Sequence, residues 1–215
     1  MAINLNVVAV ATNRWASLST RDAEIDALRG TMRPGFQLVT YQTFIDCIAQ
    51  IQALLDTDPD NPCLHVVEIY HHGSPTSLDN MMRGTAVAPR GGAPPPPHPS
   101  SNDVRNWGTA LGGLRLWCDE GKIFLSGCNT GLPRSGPSLA ELLAASLPAF
   151  PAFQHKIRVY GAAGYLSGSH AGADEEIDET YSTGALWWSV DYPPLQGARR
   201  GRGGNAWNEF KNPGW

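Results

Sequence analysis

Two residues in this chain have side chains that do covalent chemistry together, and each closes an apolar run. His72 follows the run Cys63 to Tyr70 and precedes Gly73; Cys128 closes the run that begins at Lys122. A thiol works as a nucleophile through its thiolate, and its ordinary pKa of about 8.5 falls beside an imidazolium or a helix N-terminus. An imidazole within reach takes the thiol proton and later returns it to a leaving group, which is general base and general acid chemistry. The charge that develops on an attacked carbonyl needs backbone donors, and the amides of Gly73 and Cys128 are the candidates for an oxyanion hole. Gly73 also lets the backbone approach closely, with no Cβ in the way. His71 competes with His72, but neighbours on a strand face opposite sides, so only one of them can point into a crevice, and the one beside glycine is preferred. The bland alternative for Cys128 is a small apolar residue at a strand end.

The surrounding elements alternate in type. Ile3 to Ala11 is a Val-rich run suited to a buried parallel strand, and Thr20 offers an N-cap for a helix through Ala23, Ile25 and Leu28. Phe36 to Tyr41 reads as a strand, Thr43 to Leu55 as an amphipathic helix on Phe44, Ile48, Ile51 and Leu55, and Cys63 to Tyr70 as the third strand. Residues 74–100, with Pro94 to Pro97 flanked by glycines, read as a mobile surface loop. Asn102 or Asp103 caps a helix running through Trp107, Leu111, Leu114 and Trp117, and Lys122 to Cys128 is the fourth strand. A helix over Ser138 to Leu147, a strand over Lys156 to Tyr165 and a sixth strand over Ala185 to Val190 complete the series. The expectation is a single α/β domain over 1–196, a three-layer sandwich around a mostly parallel six-stranded sheet, with a Gly/Arg-rich flexible tail over 197–215. In such sheets ligands bind outside the carboxyl ends of the strands, and that rim holds both His72 and Cys128.

Composition narrows the field. A chain of 215 residues with 42% hydrophobic content suits one domain, and a formal net charge of −4 gives no overall footprint for nucleic acid or an anionic membrane. No apolar run approaches the roughly 20 residues of a membrane span, and MAINLNVVAVATN lacks a basic leader region, so a cytoplasmic protein is expected. Cys47, Cys63, Cys118 and Cys128 show neither CxxC pairs nor metal-type spacing with histidines. Reduced thiols are therefore expected, with Cys47, Cys63 and Cys118 in the core and no metal or cofactor. The acidic stretch Asp174 to Glu179 could receive a calcium ion or a basic side chain, although such runs are usually solvated. The arginines at 199, 200 and 202 are read as part of a flexible terminus and not as an RNA-binding tail.

The phrases LHVVEIYHHGSPTSL and KIFLSGCNTG, an apolar strand ending in His-Gly and another ending in a small residue and Cys, resemble the caspase-like cysteine peptidases of clan CD. The second is similar to the caspase-like domains of bacterial CHAT proteins and of small His-Gly/Gly-Cys-Asn domains. Residues 13–28 resemble the first loop and helix of caspases, and Val159 to Ser167 their cleft-lining strand and loop. The resemblance implies a hydrolase with a His72/Cys128 dyad, and a substrate pocket formed by Arg21, Ser126, Gly164, Tyr165 and Ser167. The biology it implies is regulated proteolysis of a protein or peptide substrate, in bacterial defence or programmed death, with gating by a partner protein or by the 74–100 loop. The caspase arginines that select aspartate are missing after Tyr165, and the acidic neighbour that metacaspases place beside the nucleophile is Gly127 or Asn129 here.

Two other classes are weighed. A silent caspase-fold module would bind a partner through a strand edge or the Pro-rich loop. A nucleotide-binding flavodoxin-like domain shares the alternation, but the turn Thr12-Asn13-Arg14-Trp15 lacks the glycines of a phosphate cradle.

Overall fold

A computed structural model describes residues 4–12, 22, 25–26, 29–30, 35–57, 62–70, 73–78, 81–84, 102–115, 117–127, 129–133, 136–150, 152–162, 166–168, 188–190 and 207–215. The centre is a six-stranded sheet ordered β11-β8-β7-β3-β1-β2. Its members are β1 (Asn4–Ala11), β2 (Phe36–Tyr41), β3 (Cys63–Tyr70), β7 (Trp117–Ser126), β8 (Lys156–Ala162) and β11 (Trp207–Lys211). Every pair is parallel except β11 with β8. β1 and β3 are mostly apolar on both faces because both faces are covered: Val7, Val8, Ala9, Val10, Val67 and Ile69 have no exposure at all. The edge strand β2 instead alternates toward its carboxyl end, with Val39 and Tyr41 buried and Leu38 and Thr40 half-buried.

Three described helices cover one face. α1 (Phe44–Thr57) buries Phe44, Cys47, Ile51 and Leu55, the stripe expected of an amphipathic helix lying on a sheet. α2 (Val104–Gly112) starts where the Asp103 carboxylate accepts from the Arg105 amide, and it buries Val104, Trp107 and Leu111. α3 (Leu139–Ser146) starts at Ser138, whose hydroxyl accepts from the Glu141 amide. All three share one apolar core with Leu5, Val7, Ala9, Leu64, Val67, Ile123, Leu125 and Val159. The opposite face carries a smaller cluster of Val66, Phe124, Tyr160, Ala162 and Trp207. There Phe124 stacks on Tyr160 with ring centroids 4.6 Å apart. The α/β class and the mostly parallel six-stranded sheet are as expected, and helices on one face with buried residues on the other are compatible with a three-layer sandwich.

Several expectations are corrected. The sixth strand of the main sheet is β11, not 185–190: β10 (Trp188–Val190) pairs only with β9 (Leu166–Gly168), in a separate antiparallel ribbon. Residues 207–215 therefore belong to the domain and not to a flexible tail. Asn212 closes this end, its Oδ1 accepting from the Ile157 amide at 2.9 Å and its Nδ2 donating to the Pro148 carbonyl at 3.0 Å. The proposed loop at 74–100 is in part folded. β4 (Gly73–Ser74), β5 (Ser77–Leu78) and β6 (Met82–Arg83) form an antiparallel meander, and Leu78, Met81 and Met82 are buried. The Trp107 indole donates to the Met81 carbonyl at 2.7 Å. α2 stops at Gly112, and Trp117 opens β7 instead of extending the helix. The reason is local: a Cβ at Gly121 would lie 2.4 Å from the Trp117 ring, so glycine there makes room for the indole at the start of the strand.

The cysteines are the largest correction. Cys63 and Cys118 form a disulfide with Cα atoms 4.9 Å apart, so they are neither reduced nor core residues. Regular parallel register would not bring them together, since Cys63 precedes Leu64 while Cys118 follows its partner Trp117; they meet where that register shifts. The bond sits beside a large bulge, where one residue of β3, His65, faces Cys118 to Gly121 of β7 between the pairs Leu64/Trp117 and Val66/Lys122.

The bond closes a loop of 55 residues, which the chain-entropy model values at roughly 4 kcal/mol. Reductant, or Cys63→Ser with Cys118→Ser, is expected to lower unfolding free energy by about 2–4 kcal/mol in denaturant titrations. Protein unfolded without reductant should expose two thiols, Cys47 and Cys128; finding four would disprove the bond. His65 supplies a pH effect. Burial, and then the charge of Lys122, hold its pKa below the ordinary value. The unfolded chain then takes up the proton first as pH falls below about 6.5, so acid destabilises the fold through this residue. His65→Gln is expected to flatten the loss of melting temperature between about pH 7 and pH 5.

Candidate functional site

The β3/β7 register places the strand ends. Val66, Val67, Glu68, Ile69 and Tyr70 pair in order with Lys122, Ile123, Phe124, Leu125 and Ser126. The last pair is Tyr70 with Ser126, and in sequence His72 and Cys128 each follow it by two residues. His72 and Cys128 themselves lie outside the described residues, as do Arg21, Gly164, Tyr165 and the acidic stretch 174–179. Of the other expected site residues, Gly73 opens β4 and is half-buried, and Ser167 lies in the ribbon strand β9. Ser126 is 1% exposed, and its hydroxyl donates to Glu68 Oε1 at 2.5 Å.

The chain on either side of position 128 is held tightly. The Thr130 amide donates to the Gly127 carbonyl at 3.4 Å, closing a four-residue turn whose third residue, Asn129, has φ 59°. A positive φ is a left-handed backbone that asparagine adopts more readily than most residues with a side chain. The buried Thr130 hydroxyl lies 2.8 Å from the Leu125 carbonyl and 3.0 Å from the Gly127 carbonyl, and it accepts from the Ala162 amide at 3.0 Å. The Gly131 amide donates to the Ala162 carbonyl at 2.9 Å, and Asn208 Nδ2 donates to the Gly131 carbonyl at 2.9 Å. Gly131 and Gly161 meet so closely that a Cβ on Gly131 would stand 2.2 Å from the Gly161 carbonyl oxygen. The loop after β7 is thereby stitched to β8 and β11.

The segment that begins at Gly73 is anchored as well. The Pro75 carbonyl accepts from the Leu139 amide at 2.8 Å, which joins the β4–β5 turn to the first turn of α3. The Thr130 carbonyl accepts from the next amide, Ala140, at 3.0 Å. Two loops, one after each site-bearing strand, thus share the same helix N-terminus, where the backbone dipoles favour negative charge.

A depression lies at the carboxyl ends of β1 and β2. It is a polar cleft of about 600 Å³ whose lining includes Thr12, Asp22, Arg29, Thr40, Gln42 and Asp46. Its charges are largely committed within the protein: Asp46 accepts from the Gln42 amide and from Gln50, and Arg29 pairs with Asp26. Among the described residues no three His, Cys, Asp or Glu side chains are grouped to hold a metal ion.

Sequence reading missed Glu68 and Thr130. For Glu68 a signal was there, a lone carboxylate inside the apolar run LHVVEIY. Thr130 gave none, because Ala162, the partner that ties it to the next strand, becomes a neighbour only in the folded sheet.

No protein-family model, curated protein or solved structure matches this chain.

The turn makes a testable demand. Asn129→Gly is expected to leave stability within a few tenths of a kcal/mol, whereas Asn129→Ala should cost about 1 kcal/mol in chemical denaturation, since alanine has no local hydrogen bond to offset the left-handed backbone. Equal stability of the two variants would mean that the turn relaxes.

Proposed function

We propose that the chain is a cysteine endopeptidase of the caspase-like class, with His72 as general acid and base and Cys128 as nucleophile. The observation that carries this reading is the β3/β7 register, in which the strands leading to the imidazole and to the thiol end level with each other at the carboxyl rim. The Cys128 thiolate attacks the scissile carbonyl, and the amides of Gly73 and Cys128 receive the oxyanion. The His72 imidazolium protonates the leaving amine as the C–N bond breaks, leaving a thioacyl enzyme. A water then gives a proton to His72 and attacks the thioester, and the acid product leaves as Cys128 returns to its starting state. In this reading Arg21, Gly164, Tyr165 and Ser167 border the peptide. The buried Ser126, committed to Glu68, supports the pocket from beneath.

The other cysteines support the assignment by elimination. Cys63 and Cys118 are bonded to each other. Cys47 is fully buried, and burial, then the charge of Asp46, push its thiol pKa well above the usual range. Cys128 is left as the thiol for an electrophile. No described helix is long and apolar enough to cross a membrane. A disulfide is typical of oxidising compartments and rare in a reducing cytosol, so the cytoplasmic expectation is not carried into this proposal.

Acyloxymethyl ketones bearing Asp, Arg, Lys, Leu or Gln, read by intact mass, test the proposal. One adduct at Cys128, selective for one side chain and absent from Cys128→Ala and His72→Ala, is the expected result. The absence of any adduct on folded wild-type protein would favour a silent interaction module.

A further inference from the structure

Exposed disulfides are the labile ones, whereas structural bonds resist reduction. Cys63 and Cys118 are half-buried, and Asn4, whose Oδ1 lies 3.7 and 3.6 Å from the two sulfurs, is exposed, so the bond sits at the surface. The strands it joins are also held without it. β3 pairs with β1 from Cys63 to Tyr70, and β7 pairs with β8 from Glu120 to Leu125. Val67, Ile69, Ile123 and Leu125 have no exposure within the main core. The contribution of one disulfide is a fraction of a domain's usual stability, so the reduced chain stays folded.

What the bond holds alone is narrow. Between the pairs Leu64/Trp117 and Val66/Lys122 the ladder is broken, and Cys118 and Asp119 pair with neither β3 nor β8. The chain around them is anchored: the Trp117 indole donates to the Leu111 carbonyl at 2.8 Å, His155 Nδ1 lies 3.2 Å from the Cys118 carbonyl, and Glu120 pairs with Lys156. Any opening is bounded by these contacts. The surroundings suit exchange chemistry, in which one cysteine sulfur departs as a thiolate and a nearby cation favours it. Burial and then the charge of Lys122 lower the pKa of His65, which faces the bulge, so a cation stands beside the segment that carries Cys118. Asn4 Oδ1 is placed to accept from either thiol once the bond opens.

We propose that Cys63–Cys118 is a thiol-exchange site that acts as a local switch: reduction by an external dithiol releases the amino ends of β3 and β7 while the domain stays folded. A thiolate of the dithiol attacks one sulfur, the S–S bond breaks, and its electron pair leaves on the other sulfur, which takes up a proton. The second thiol of the dithiol gives up its proton and attacks the mixed disulfide, and the remaining cysteine leaves and is protonated. The dithiol is oxidised to a disulfide, the protein gains two thiols, and two protons pass from one to the other. A small disulfide such as oxidised glutathione closes the bond by the reverse exchange. In the open form Cys118, Asp119 and the isolated Leu64/Trp117 pair gain freedom, and the five register pairs from Val66/Lys122 to Tyr70/Ser126 keep theirs fixed. The switch lies at the amino end of the sheet, away from the carboxyl rim, and does not depend on the peptidase reading.

The test uses the folded full chain without denaturant. After excess dithiothreitol and then iodoacetamide, peptide mass is expected to find Cys63 and Cys118 both alkylated, and the reduced protein is expected to keep a single cooperative melting transition. Hydrogen exchange over minutes should rise about tenfold in peptides covering 63–65 and 117–121, and stay at its oxidised level in those covering 67–70 and 123–125. Oxidised glutathione should then restore both the bond and the protection. The proposal is overturned if the two cysteines take label only after unfolding, if the reduced chain loses its melting transition, or if oxidised glutathione fails to close the bond. Equal exchange at 63–65 and 117–121 with the bond open and closed overturns it as well. So does a rise that extends over 67–70 and 123–125, because the bond would then be a staple for the whole sheet.

Discussion

The pairing of β3 with β7 governs the rest of the molecule. Two parallel strands with both faces covered have no freedom to slide, since a slip by one residue would exchange the Val67/Ile69 face with the Val66/Glu68 face. Five consecutive register pairs fix the carboxyl ends level, while the amino ends diverge into the bulge opposite His65. The bulge gives up ladder hydrogen bonds, and the Cys63–Cys118 bond holds the strands together where that ladder is weakest. Asn4 on β1 adds to the closure, its Oδ1 lying 3.7 and 3.6 Å from the two sulfurs. The sheet is thus clamped covalently at one end and left free at the other to carry loops.

Those loops are secured by polar contacts instead of apolar packing. Thr130 joins β7 to β8 with one hydroxyl, and the backbone contact of Gly131 with Gly161 lets the loop lie flat on the neighbouring strand. The shared N-terminus of α3 then ties this loop to the one that starts at Gly73. A displacement of α3 would move both loops together, so a site built from them keeps its internal geometry even if the helix shifts.

The sequence was most legible where local pattern and tertiary burial agree. β2 and β3 match the expected spans residue for residue, and α1 differs by one or two positions at its ends, because a continuous apolar run or a helical stripe states its own environment. Legibility failed where a segment depends on distant partners. Trp207 to Lys211 is only five residues long and follows a Gly/Arg-rich stretch; what makes it a strand is antiparallel pairing with β8, which local composition does not carry. Leu78, Met81 and Met82 were overlooked inside a region dominated by proline; they join the main core, where Trp107 on α2 donates to the Met81 carbonyl. The disulfide was invisible for the same reason: spacing along the chain says nothing about register across it. For the candidate site, the strands that precede the His-Gly and Gly-Cys phrases were legible. The polar groups beneath, Glu68 and Thr130, become intelligible only once neighbouring strands are known.

The two faces of the sheet divide the work. The helix-covered face is apolar throughout, and its largest buried groups, Trp107, Tyr41, Ile51 and Leu55, meet by packing and ring contacts, with Trp107 edge-on to Tyr41 at 6.1 Å. The other face mixes Val66, Phe124 and Trp207 with Glu68, Ser126, Tyr160, Arg158 and Glu209. If stability were the only demand on that face, aliphatic residues would serve better than a buried carboxylate. Polar groups there fall into two sets: the Arg158 set toward the amino end and the β11 edge, partly open to solvent, and the Glu68/Ser126 pair, closed to solvent, at the carboxyl rim. The second set lies between the strands that lead to His72 and Cys128. Water screens a polar contact that is open to solvent and not one that is closed to it, so the Glu68/Ser126 contact holds its geometry more firmly than the Arg158 set.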